Sequence, residues 1–115
     1  MTKLTIKSVE AKARRILQDT VEEYRWSSEE MRDALQEGIY ALNAIRPETR
    51  YINGVLCDGV NLPESDTAEI SIKSRYEEAL VHYVVYKCYL TDSTDTANAQ
   101  LAEMHFGKFN MKAQM

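Results

Sequence analysis

From Ala79 to Leu90 every residue except His82 and Lys87 is apolar or aromatic. A run of this length exceeds a typical strand and falls short of the roughly 18 to 20 residues that a bilayer span needs. Ser74-Arg75-Tyr76-Glu77 places a capping box just before it. The pattern therefore predicts a helix over 75–91, although its tyrosines and valines suit strands. At about 100° per residue, Tyr76, Ala79, Tyr83, Tyr86 and Leu90 form one stripe, with Val81, Val84, Val85 and Cys88 on the opposite side. The last segment repeats this behaviour over 94–112. It puts Ala97, Leu101, Met104 and Met111 on one side and Ala102, Phe106, Phe109 and Ala113 on the other. A helix in a small bundle needs one apolar stripe to close a core, so two doubly apolar helices predict surface meant for another chain. The competing reading puts one of them at the centre of the bundle.

The remaining pattern supplies two more helices. The first, over 6–18 and starting at Thr5 or Ser8, carries Val9, Ala13, Ile16 and Leu17 at helical spacing, and Asp19 and Thr20 end it. A polar link, Val21 to Arg25, follows. The second helix, over 28–45, opens on a capping box, Ser27-Ser28-Glu29-Glu30, with Trp26 placed to staple onto Met31. Its core stripe is Met31, Leu35, Gly38, Ile39 and Leu42, and Pro47 stops it by about Ile45. Gly38 within that stripe costs about 1 kcal/mol against alanine, which predicts a close helix crossing. From 46 to 73 the pattern changes to turn chemistry and predicts no helix. Tyr51 to Leu56 reads as a hairpin around Asn53-Gly54, and Glu69-Ile70-Ser71-Ile72 alternates like a short strand able to pair with it. So long a connection either carries contacts or moves. Gly107 predicts a last helix whose final turns fray or extend onto a partner.

The expected fold is a single mainly all-α domain over 1–115: four helices, with a short hairpin-like insertion between the second and third. A chain of 115 residues suits one core without disulfides or metal. Gly and Pro are scarce, and the basic N-terminus lacks the continuous apolar region of a signal peptide. The two cysteines, Cys57 and Cys88, could pair, but two free thiols are expected in a reducing compartment. Charge is uneven: residues 1–15 carry five Lys/Arg against one Glu, 16–70 carry four Arg against twelve acids, and 71–115 balance five against five. The net charge of −4 argues against sequence-specific groove binding, where a basic face supplies most of the affinity.

Catalytic and metal chemistry finds no pattern to rest on. His82 and His105 stand in no ligand spacing, and Glu78, one turn before His82, reads as a surface ion pair. The pairs Glu22-Glu23, Glu29-Glu30 and Glu77-Glu78 are adjacent in sequence and diverge on a helix. There is no phosphate loop and no nucleophile elbow, and Cys57 has no basic neighbour to activate it. The expectation is a protein without catalytic, metal or cofactor residues.

Taken together, several segments resemble the small head-tail adaptor, or connector, subunits of tailed bacteriophages. They are Ile16-Leu17-Gln18-Asp19-Thr20, Arg25-Trp26-Ser27-Ser28-Glu29-Glu30, Ile45-Arg46-Pro47 and the run from Tyr76 to Tyr89, with Asp92, Asn98, Ala99 and Phe109. The middle departs from the resemblance, since many such proteins look to carry a larger strand-rich insertion. The resemblance implies a non-enzymatic virion subunit, made in the host cytoplasm, that forms a homo-oligomeric ring of about a dozen copies. Its partners would be the portal protein, a tail or tail-stopper protein, and genomic DNA passing through the lumen without sequence-specific binding. No membrane partner is implied.

Within that reading, Tyr83, Tyr86, Val81, Val85, Phe106 and Phe109 are the candidate subunit interface, and Lys112, Ala113, Gln114 and Met115 the candidate portal-docking end. Glu22, Glu23, Glu64 and Asp66 are candidate acids of a lumen that repels DNA. Two other classes compete. One is a small helix-turn-helix-like DNA-binding regulator. Its second helix, however, carries Glu29, Glu30, Asp33 and Glu37 where a groove-reading helix wants Arg, Lys, Asn or Gln. The other is a monomeric helical interaction domain.

Overall fold

A computed structural model describes residues 4–21, 24–91 and 96–114. Four helices form: α1 (Ile6–Leu17), α2 (Ser28–Ile45), α3 (Glu77–Thr91) and α4 (Thr96–Ala113). Between α2 and α3 lies a two-stranded antiparallel hairpin, β1 (Tyr51–Ile52) and β2 (Val55–Leu56), paired Tyr51 to Leu56 and Ile52 to Val55. Asn53 (φ 52°) and Gly54 (φ 82°) make the turn, both left-handed as a two-residue hairpin requires.

The centre of the bundle is α3. The other three helices pack around it, which is why its sequence is apolar on both sides. Val81, Val84, Val85 and Cys88 are buried on the side of α1 and α2, and Ala79 is buried as well. Tyr83 lies against Gly38 of α2: a Cβ added at Gly38 would stand 3.0 Å from the Tyr83 ring. That is the close crossing expected at this glycine. The stripe of α2, Met31, Leu35, Gly38, Ile39 and Leu42, is buried throughout.

The helix ends show both agreement and correction. Ser27 caps α2, its hydroxyl accepting from the Glu30 amide at 3.0 Å, and Pro47 ends the helix where expected. At α1 the box is made by Thr5 and Ser8, each side chain accepting from the other's amide. Ile16, expected in the core stripe of α1, is instead exposed. The expected box before α3 does not form. Ser74–Tyr76 is a 3₁₀ turn with no side-chain cap, and the Glu77 carboxylate is drawn to α1, accepting from Ser8 Oγ at 2.9 Å and pairing with Lys12.

Two expectations about the connector are corrected. Pro47–Arg50 is a 3₁₀ turn, where no helix was expected, because Pro47 fits the first turn and the Thr49 amide donates back to the Arg46 carbonyl. The segment 69–72 does not pair with the hairpin. Glu69 bridges Thr5, and the Ile70 amide donates to the Leu4 carbonyl at 2.8 Å, burying Leu4 and Ile70 together. Apolar alternation identified an extended segment but could not name its partner.

Candidate functional site

The residues singled out from sequence converge on the α3–α4 hairpin. His82 and His105 stack with centroids 5.1 Å apart, and their Nδ1 atoms share a hydrogen bond of 2.9 Å. Tyr89 also stacks on His105, at 5.9 Å. Burial, reinforced by His82 and Lys108, pushes His105 down to about 4, and burial with Lys108 and Lys112 holds His82 low as well. The pair is therefore neutral at pH 7 and works as a polar link inside the hairpin. Among the described residues no three His, Cys, Asp or Glu side chains gather where a metal could be held. Cys57 and Cys88 are both free, and burial pushes the Cys88 thiol up to about 12, far from a reactive thiolate.

Of the candidate interface residues, Val81, Val85 and Phe109 lie in this chain's own core and offer no surface. Tyr83 and Tyr86 are half-buried under α4, their rings edge-on to Phe109 and tilted against Phe106 respectively, at 4.9 and 4.8 Å. Only Phe106 is exposed. The portal-docking end is no loose extension. Arg46 Nε donates to the Ala113 carbonyl at 2.8 Å and its guanidinium also reaches the Gln114 carbonyl; Ala113 is fully buried, and Lys112 pairs with Glu78 at 2.8 Å. Met115 lies outside the described residues, as do Glu22 and Glu23. Glu64 and Asp66 are exposed; Asp66 sits 3.4 Å from Arg32.

What remains uncovered are two unlike flanks of the hairpin. Leu90 (41% exposed) and Phe106 (40%) lie with Tyr86 on the side of α2. Met104 (45%) and Met111 (59%) lie on the outer side of α4, with Met111 reaching toward Ile16 of α1. Phe106 and Met104 project about 160° apart on the helix. Both flanks carry charge of one predominant sign. Beside the first, the cleft between α2 and α3 is edged by Glu30, Asp33 and Glu37, with Lys87 as its single cation. Beside the second, α1 and α4 both pack on α3 and barely meet each other, leaving a groove of about 650 Å³ edged by Lys12, Arg15, Lys108 and Lys112.

No family model, curated protein or solved structure matches this chain. Its surfaces have to be understood from their own chemistry. No helix among the described residues is long and apolar enough to cross a membrane.

Two polar devices that position these flanks escaped the reading of the sequence. Along α2, Gln36, Tyr40 and Asn43 look like a solvent face at helical spacing, yet they grip the connector. Gln36 binds the Val60 carbonyl and the Leu62 amide, Asn43 accepts from the Val60 amide, and the Tyr40 hydroxyl donates to Asn61. Backbone groups that a strand partner would otherwise satisfy are satisfied by side chains. The second device is Asp19, expected only to end α1. It is buried and accepts from Arg14 at 2.9 Å and from the amides of Arg25 and Trp26. A carboxylate next to a chain reversal and ahead of a capped helix is the signal that could have found it.

Proposed function

We propose that this chain is a structural subunit of the head-to-tail connector of a tailed bacteriophage. About a dozen copies form a ring that docks on the portal and receives the tail or a tail-stopper, with DNA passing through the centre. The subunit is made in the host cytoplasm and resides at the head–tail interface of the virion. One observation carries the reading: the hairpin leaves two unlike apolar flanks uncovered, Leu90 and Phe106 on the side of α2 and Met104 and Met111 on the outer side of α4. A closed ring built by one rotation needs each subunit to present two different surfaces, one to each neighbour. The resemblance of the Tyr76 to Tyr89 run and its companion segments to connector subunits supports the same reading.

Of the interface expected from sequence, Val81, Val85 and Phe109 are spent inside the chain; Phe106 with the half-buried Tyr83 and Tyr86 stays available, and exposed Leu90 joins them on that side. Exposed Glu64 and Asp66 are available to an acidic lumen. The test is native mass measurement and negative-stain imaging of the chain, alone and with the portal ring of the same virus. A ring seated on the portal is expected. Phe106→Glu gives up ring contacts with Tyr86 and Phe109, which should cost about 1 to 2 kcal/mol and leave the subunit folded, and it should abolish that portal-seated ring. A chain that stays monomeric and unbound in the presence of the portal overturns the reading.

A further inference from the structure

The two flanks differ in more than shape. On α2 the outward row contains Glu29, Glu30, Asp33 and Glu37, spread over about 12 Å at 1.5 Å per residue. Glu37 is engaged by Lys87 at 3.0 Å and Glu30 lies beside Ser27, while Glu29 and Asp33 have no ion pair among the described residues. In the groove between α1 and α4 the situation is mirrored. Lys12 and Lys112 are engaged by Glu77 and Glu78, while Arg15 and Lys108 have no ion pair among the described residues. Among the described residues, Glu29, Glu30 and Asp33 are thus anions without an ion pair on the α2 side, and Arg15 and Lys108 are cations without one on the α1–α4 side, each set beside one of the apolar flanks. Residues of α3 form the floor of the groove, and α1 and α4 its two edges.

We propose that copies of this chain join head to tail, the acidic face of α2 from one copy seating against the basic groove between α1 and α4 of the next. The occupant is a second copy because the two surfaces match in sign and both border exposed apolar residues, Ile16 and Met111 at the groove and Leu90 and Phe106 on the α2 side. A phosphate backbone is the poorer occupant. It gains nothing from Ile16 and Met111, and it meets the carboxylate of Glu78 in the same groove. The contact is heterologous: each copy uses its α2 side once and its groove once, so successive copies close into a ring or continue as a filament.

This pairing rests on the self-association proposed above, and its test separates the two. Arg15→Glu/Lys108→Glu makes both faces acidic; Glu29→Lys/Asp33→Lys makes both basic. Each variant alone should self-associate at least tenfold more weakly than the unaltered chain, measured by sedimentation or by ring yield on the portal. An equimolar mixture should recover assembly, alternating the two variants, and recovery also shows that both are folded. Assembly of the unaltered chain should weaken as ionic strength rises. If either variant alone assembles as the unaltered chain does, or if the mixture fails to recover, the pairing is wrong and the ring stands. If the unaltered chain forms no oligomer with or without the portal, both fall. Retention of DNA of arbitrary sequence by the unaltered chain, lost in Arg15→Glu/Lys108→Glu without change in self-association, overturns the pairing in favour of a phosphate site.

Discussion

Asp19 illustrates how much one buried side chain can organise. Gln18 closes α1 in a left-handed conformation (φ 58°), and the chain must then reverse toward the cap of α2. The Asp19 carboxylate holds that reversal by accepting from the Arg25 and Trp26 amides and from Arg14, whose guanidinium is itself buried and lies 3.9 Å over the Tyr24 ring. Asp19→Ala leaves the buried Arg14 guanidinium with only Glu10, at 3.7 Å, as counter-ion and frees two amides, so it should cost about 3 kcal/mol, the lower end of the range for breaking a buried pair. Chemical denaturation of the variant checks this. A loss under about 1 kcal/mol would mean that water replaces the carboxylate. Arg14→Met in the same background should recover part of the loss, because it removes the stranded charge and keeps the packing.

At the scale of elements, the two helix glycines make opposite predictions. A Cβ at Gly38 would press on the Tyr83 ring at 3.0 Å, whereas at Gly107 nothing stands within 4 Å. Gly107→Ala should therefore stabilise the isolated subunit by about 0.5 to 1 kcal/mol, and Gly38→Ala should lose its propensity gain to overpacking and come out destabilising by about 1 kcal/mol or more. Paired thermal melts of the two variants decide it; equal signs would refute the crossing. The period of apolar residues made all four helices readable, and the stop at Pro47, the turn at Asn53-Gly54 and the crossing at Gly38 followed from backbone rules that act locally. What could not be read were pairings decided at long range. The doubly apolar α3 is central, whereas in α4 one stripe is buried at Ala102, Phe109 and Ala113 but exposed at Phe106, and the other is half-buried at Leu101 and faces outward at Ala97, Met104 and Met111; periodicity cannot distinguish these cases. Glu77 looked like a local cap and instead serves Ser8 and Lys12 of α1, because a carboxylate within reach of a cation and a hydroxyl gains more there. The uncovered flanks were legible as an excess of apolar surface, but their division into an acidic and a basic side depended on which helices flank α3.

For the molecule as a whole, the stacked histidines set a limit on acid tolerance. Both imidazoles are held below their ordinary value of about 6.5, so the unfolded chain binds more protons than the folded one as the pH drops below that value. The stability gained by keeping them neutral is complete above about pH 6.5 and is lost as the pH falls toward the folded value of His105, about 4. Lys108 adds to the penalty of charging both, Lys112 adds to it at His82, and Glu78 opposes it there. Between pH 6.5 and 5, above the range where most carboxylates titrate, unfolding free energy should fall by about 2 kcal/mol at most from His105, with His82 acting in the same direction. Denaturant titrations across that interval should show this slope, and His105→Phe should flatten it; an unchanged slope would place the titrating groups elsewhere.

The clasp between Arg46 and the last turn of α4 has a kinetic corollary. Its two ends are 67 residues apart in sequence, and the other contacts that close the bundle span similar distances: Ser8 to Glu77 is 69, and Lys12 to Glu77 is 65. Each helix can form from its own neighbours within microseconds, but the centre of the bundle is supplied only by α3, and the Arg46 guanidinium finds its carbonyls only after residue 114 has been added. A chain emerging from the ribosome therefore holds α1 and α2 with nothing to wrap around until α3 follows. Folding is gated by translation of α3 and α4, and the uncovered apolar sides of α1 and α2 stay exposed to chaperones until then.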